Sequence, residues 1–287
     1  MVHKWITALI QSICYEGDYT FQVRVDFLHE RLADILERSR IEEHLLEAGV
    51  VPEQFKHDST EEKLYAKYCD MIFAEALSRL GIRSRVIKER SGAADVLGQV
   101  EARYSLVGDA KSFRLSRTAK NQKDFKVEAL NEWRSSASAD YACLVAPLYQ
   151  YPTTHSQIYD QAVRYNVTLL SYTHLYFLAT QTQGIAVDLE PLWRVGETLD
   201  PSKYARTYWK AVDTAICNCL GAEPVDWQEA QHKALDILPE QAECEIAFWE
   251  AEKERIRQLD HAKAVEELIK ALKIDSKIDV IKRTARI

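Results

Sequence analysis

The sequence predicts an α/β fold, a mixed central β-sheet flanked by helices, on three observations. Ser59 to Leu80 repeats apolar residues at helical spacing, with Tyr65, Cys69, Ile72, Ala76 and Leu80 in one stripe and Gly81 as the stop. Ser84 to Lys88, Ala94 to Leu97 and Arg103 to Ala110 are short strand signals, close enough to pair as antiparallel hairpins and punctuated by Gly92 and Gly98. Tyr141 to Leu148 and Val167 to Ser171 are almost continuously apolar, as strands covered on both faces are.

Around that centre the other elements are helical. Residues 1–50 read as helices, and Ile41 to Val50 is amphipathic, ending at Gly49 with Pro52 behind it. Ser59 and Glu62 have the spacing of a capping box. Lys126 to Trp133 reads as a helix packed on the sheet, and Gln157 to Tyr165 as a short one. Tyr151 to His155 is a donor-rich loop with two readings, a DNA contact or a plain turn. From Asp188 onward the chain is helical. Pro239 to Leu259 carries Ile246, Trp249, Ile256 and Leu259 on one side and Glu243, Glu245, Glu250, Glu252 and Glu254 on another, and Val265 to Leu272 continues the pattern. These last helices either pack on the core or form a two-fold contact.

With 47% apolar residues and 10% aromatics, the 287 residues can bury a sizeable core, as one domain with a core over about residues 50–185 and helical additions at 1–50 and 186–287. Only 9 glycines and 7 prolines argue against long linkers. The six cysteines form no C-x-x-C pair, which fits free thiols in a reducing cytoplasm rather than a zinc site. No apolar run approaches the roughly 18–20 residues of a membrane span. The eight histidines lack metal-ligand spacing, and no matched Ser or Cys nucleophile accompanies them.

The charge is unevenly placed. Lys111, Arg114, Arg117, Lys120, Lys123 and Lys126 fall at every third position with Asp124 as the only acid among them. That window carries +5, which leaves −12 on the rest of a chain whose formal net charge is −7. A basic segment on an acidic body binds phosphates locally without coating DNA indiscriminately. Ser116, Thr118, Asn121 and Gln122 are interleaved with the basic residues. Arg, Asn and Gln can read base edges through paired hydrogen bonds.

Chemistry enters just upstream. Asp95 opens a short apolar run, and Asp109-Ala110-Lys111 closes the next. In a strand, residues two apart face the same side, so Asp109 and Lys111 point together and Ala110 turns away. Two carboxylates and a lysine at the ends of neighbouring strands suit a hard divalent cation, which takes oxygen ligands and keeps several waters.

This arrangement resembles the PD-(D/E)xK nuclease core. Gly108 to Arg134, GDAKSFRLSRTAKNQKDFKVEALNEWR, resembles the HindIII family of type II restriction endonucleases almost residue for residue. STEEKLYAK (Ser59 to Lys67) and QYPTTHSQI (Gln150 to Ile158) look like flanking segments of that family, and the likeness runs over roughly residues 50 to 160. Ala94 stands where the superfamily motif has Pro, and the acidic residue near Lys88 and Glu89 has no firm counterpart.

The resemblance implies a restriction-endonuclease-like core and Mg²⁺-dependent cleavage of double-stranded DNA at the palindrome AAGCTT, after the first A. It implies a cytoplasmic homodimer whose genetic partner is a methyltransferase of matching specificity. Asp95, Asp109 and the Ala110 carbonyl would hold the metal, with Lys111 beside it. Glu62 has two readings, a helix cap or an acid reaching the catalytic centre. Arg114, Ser116, Arg117, Lys120, Asn121, Lys123, Asp124 and Lys126 are the candidates for DNA contact. Two rivals are a repair or recombination nuclease with little sequence preference and a DNA-binding module without catalysis.

Overall fold

The computed structural model describes residues 2–36, 40–87, 94–117, 122–182 and 187–285. It opens with α1 (Val2–Tyr15), α2 (Phe21–Leu36) and α3 (Ile41–Glu47). Ile6, Ile10 and Ile13 of α1 and Leu28 and Leu32 of α2 join the core, which is what the apolar spacing of these helices demands. After α3 the chain turns at Gly49, whose φ of +88° suits glycine and where a Cβ would collide with Tyr172 and Pro147.

The predicted central helix is α4 (Thr60–Arg79). Its stripe of Tyr65, Cys69, Ile72, Ala76 and Leu80 is buried. Ser59 caps it, accepting from Glu62 N at 3.2 Å, while the Glu62 carboxylate accepts from Asp58 N at 2.6 Å. The reciprocal half of the capping box is thus displaced by one residue.

The sheet has five strands in chain order, β1 (Arg83–Val86), β2 (Val96–Val100), β3 (Tyr104–Ala110), β4 (Tyr141–Ala146) and β5 (Val167–Ser171). The first three pair antiparallel, as the hairpin spacing predicts, and β3, β4 and β5 pair parallel. Parallel neighbours need crossovers, and α5 (Val127–Ser136) and α6 (Gln157–Arg164) supply them. The buried β4 and β5 account for the two continuous apolar runs. α4 packs along β1 to β3, and α5 along β3 and β4. α7 (Tyr172–Thr182) packs on α3 and α4, α8 (Glu190–Trp193) on β4 and β5, and α9 (Ala205–Leu220) on α7 and α8.

The expected C-terminal helix starts fifteen residues earlier than Pro239, because α10 runs Pro224–Arg257 with Pro239 inside it. A proline removes one ladder hydrogen bond and crowds the preceding turn. Strong helix formers on both sides, Ala234, Leu235 and Leu238 before it and Glu240, Gln241 and Ala242 after it, carry the helix through. α11 (His261–Ala271) and α12 (Ile274–Ala285) follow.

The chain divides into two compact units, Met1–Ala242 and Glu243–Ile287. The first holds the sheet and a continuous hydrophobic core to which α1 to α9 contribute. In the second, α11 buries no residue, and Trp249, Leu268 and Leu272 are each at least half exposed. Among the described residues, no helix is long and apolar enough to cross a membrane. All six cysteines are free thiols.

Candidate active site

β2 and β3 bring the two predicted carboxylates together. Their register pairs Leu97 with Val107 and Val96 with Gly108, so the next step sets Asp95 opposite Asp109. Asp95 N donates to Gly108 O at 3.1 Å, which fixes that end of the pairing. β3 is drawn against α4 at this point, since a Cβ on Gly108 would enter the Phe73 ring. The backbone beyond is held on two sides, by Lys111 N donating to Val145 O at 2.7 Å and Tyr172 OH donating to Lys111 O at 3.1 Å.

Asp109 is 1% exposed, and its Oδ2 accepts no well-directed hydrogen bond but meets Lys111 Nζ at 2.5 Å. The alternation argument therefore holds: Asp109 and Lys111 share a side. α4 adds two groups the sequence reading passed over. Lys67 Nζ donates to Asp70 Oδ2 at 2.9 Å and to Asp95 Oδ1 at 2.7 Å. Asp70 is buried between the stripe residues Cys69 and Ile72. A carboxylate beside an apolar stripe hinted at burial, because burying one demands a partner, but not at which strand end it faces. Lys63, Lys67, Asp70, Asp95, Asp109, Ala110 and Lys111 line one cavity of about 340 Å³.

Burial pushes the Asp70 carboxyl well above the usual carboxylate range, and the charge of Asp95 adds to this, while the contacting Lys67 ammonium opposes both. Burial likewise pushes Asp109 up, against Lys111, with Asp95 raising it further and Lys126 lowering it. Burial works against the charge of Lys67, yet Asp70 and Asp95 outweigh it and raise its ammonium above the usual lysine range. Three clustered carboxylates, one with a buried oxygen lacking a well-directed hydrogen bond, suit a hard, oxygen-ligated cation.

Glu62 lies elsewhere. Its Oε1 meets Arg114 Nη2 at 2.7 Å, its Oε2 serves the helix cap, and it does not line the cavity. The carboxylate that α4 presents to the site is Asp70. Glu62 also stands with His57 and Asp58 in a small cluster whose potential ligand atoms lie within 4.8 Å of one another.

A sequence model of the HindIII restriction endonuclease family matches residues 3–285. The chain belongs to that family. It is 35% identical over 253 residues to the type II restriction enzyme HindIII of Haemophilus influenzae, an alignment spanning 86% of this chain and 84% of that one. The protein is a site-specific endonuclease of the type II restriction class and acts on DNA.

In this HindIII-family chain the basic segment divides in two. Arg114 is internal structure: Nη1 donates to Pro52 O and Glu53 O at 3.1 and 3.3 Å, and Nη2 to Phe55 O and Glu62 at 2.6 and 2.7 Å. With both terminal nitrogens engaged, it has no paired donors to offer a base. Ser116 N donates to Glu53 at 3.0 Å. Arg117 lies 3.9 Å over the Phe113 ring and pairs with Asp124. Lys123 and Lys126 are exposed, and Lys126 opens α5 at φ +48°. Lys120 and Asn121, like Lys88 and Glu89, lie outside the described residues.

The Tyr151 to His155 loop is tied down. Tyr151 OH donates to Leu170 O at 2.8 Å, Thr154 O accepts from Ala205 N at 2.9 Å, and the His155 ring packs on Tyr204. The fold also joins Ser171, His174 and Asp213 in a hydrogen-bonded chain, with Ser171 Oγ to His174 Nδ1 at 2.7 Å and His174 Nε2 to Asp213 at 3.0 Å. Ser171 and His174 are 0% exposed, and the imidazole is stacked on Trp209 and Trp227. No substrate reaches that serine, so the chain is a packing device rather than a nucleophilic triad.

Proposed function

We propose that this endonuclease requires Mg²⁺ and cuts both strands of AAGCTT after the first A, leaving 5′-phosphate and 3′-hydroxyl ends. It works as a homodimer, because a palindromic site presents the same scissile bond twice about a two-fold axis. It acts in the cytoplasm, with a methyltransferase of the same specificity protecting the host's own sites. The observation that carries the reading is the convergence of Asp70, Asp95, Asp109 and Lys111 on one cavity.

Asp95, Asp109 and the Ala110 carbonyl would hold the cation, with Asp70 completing the carboxylate set. Bound there, a divalent ion polarises the scissile phosphoryl group and makes a neighbouring water more acidic. Lys111 holds an ammonium against Asp109, placed to orient the attacking water and to neutralise charge growing on the phosphoryl oxygens. The new P–O bond forms from water, which gives up a proton to solvent, the P–O3′ bond breaks, and the 3′ oxygen leaves with a proton taken from solvent. Lys63 at the cavity and Lys123 and Lys126 beyond it suit phosphate contacts, which position the duplex without reading it. Ser116, Lys120 and Asn121 are the remaining candidates for base contact. Arg117 and Asp124 enter that role by opening their ion pair.

Digestion of a fully sequenced plasmid, with Mg²⁺ and with EDTA, tests the reading when the ends are sequenced. Fragments ending at AAGCTT in Mg²⁺ alone are expected. Discrete ends at another sequence would overturn the target, a smear would favour a low-specificity nuclease, and equal cutting in EDTA would remove the metal.

A further inference from the structure

We propose that Lys67 is a positioning residue whose ammonium competes with the cation for the Asp70 and Asp95 carboxylates, and so makes uptake of the divalent ion depend on arrival of the DNA phosphate. The inference rests on the proposed metal site and concerns how that site is loaded.

The Lys67 ammonium bridges the two carboxylates, 2.9 Å from Asp70 Oδ2 and 2.7 Å from Asp95 Oδ1, and these are carboxylates that would hold the cation. Its side chain is only 24% exposed, so the contacts are made largely out of water. Five charged groups form the contact network: the carboxylates of Asp70, Asp95 and Asp109, and the ammoniums of Lys67 and Lys111. Their sum is one negative charge. A divalent ion alone overshoots to one positive charge, and the single negative charge of a phosphodiester then brings the site to neutrality. Without Lys67 the network carries two negative charges, and the ion alone balances it. In surroundings of low dielectric such imbalances weigh far more than in water.

The geometry also gives Lys67 somewhere to go. It lies on the wall between this cavity and a larger neighbouring cleft lined by Asp26, Glu30 and Glu75 together with His29 and Arg85, and it lines both; Glu75 is paired with Arg79. Released from Asp95, the ammonium can turn toward Asp26 and Glu30 and keep a counter-charge.

Calorimetric titration of the full chain with Ca²⁺, with and without a duplex containing AAGCTT, tests this. Ca²⁺ is chosen as an oxygen-seeking probe. The wild-type protein is expected to bind Ca²⁺ weakly alone and at least about tenfold more tightly with duplex, and Lys67→Met to bind it about tenfold more tightly than wild type without duplex. Lys67→Arg, which keeps the charge, is expected to restore the dependence on DNA. Lys67→Gln replaces the Met variant if that one does not fold. Unchanged or weaker Ca²⁺ binding by the neutral variant, or equally tight binding by Lys67→Arg, would overturn the role of Lys67. A wild-type protein that takes up no Ca²⁺ even with duplex would instead overturn the metal site itself.

Discussion

Asp109 is the residue on which the proposed chemistry depends most, since it is fully buried, ion-paired to Lys111 and lines the cavity it shares with Asp70 and Asp95. Asp109→Asn should cut single-turnover cleavage by roughly a thousandfold, the scale seen when a transition-state anchor is lost, while gel shifts show DNA binding retained. Cleavage within tenfold of wild type would remove Asp109 from the site. The raised carboxyls of Asp70 and Asp109 also fix a pH dependence. A buried acid raised in the folded state keeps its proton longer, so cation binding and cleavage should fail on acidification above the ordinary carboxylate range. The sign for stability is opposite: raised folded-state values stabilise the fold below the unfolded values, and that contribution is lost as pH rises through the folded ones. Cleavage should therefore disappear while near-ultraviolet circular dichroism still reports a folded protein; simultaneous loss of both would contradict this. Arg114 is a different case. Its partners are the carbonyls of residues 52, 53 and 55 and Glu62, contacts that no sequence pattern displays. Arg114→Ala should cost about 2–3 kcal/mol in urea unfolding, as expected when hydrogen bonds to a charged group are removed, without changing which sequence is cut. An unchanged unfolding midpoint would return Arg114 to the DNA-contact set.

At the scale of elements, the sheet was legible because its parallel half is buried on both faces and its antiparallel strands follow one another at hairpin spacing, although Gly98, read as a break, lies inside β2. Asp95 and Asp109 were legible because strand pairing leaves little freedom in how two neighbouring ends meet. Lys67 and Asp70 were not, because helical periodicity places them beside an apolar stripe and is silent on which strand end they face. The capping spacing drew attention to Glu62, and it does cap α4, while the site takes its helical carboxylate from two turns further along. Gly108 is where α4 and β3 are seated together. Gly108→Ala should force Phe73 aside, destabilise the fold by roughly 1–3 kcal/mol through overpacking, and slow cleavage beyond what the lost stability explains. A variant with wild-type thermal unfolding and rate would show that this seating leaves room to spare.

At the scale of the whole molecule, a palindromic target asks for two copies of the chain. The second unit leaves Ile246, Trp249, Leu268 and Leu272 between 50% and 60% exposed, apolar side chains that a second copy could cover. Sedimentation should give a dimer, and a duplex with one intact half-site should be cut much more slowly than the full site; a monomer that cuts both equally well would contradict the two-fold arrangement. The most direct measurement is anomalous scattering from crystals of the protein grown with Mn²⁺ and duplex DNA. A Mn²⁺ peak against the Asp95 and Asp109 carboxylates, with Lys67 turned away from Asp95, is the expected result. A peak confined to His57, Asp58 and Glu62, with the catalytic cavity empty of metal, would contradict it.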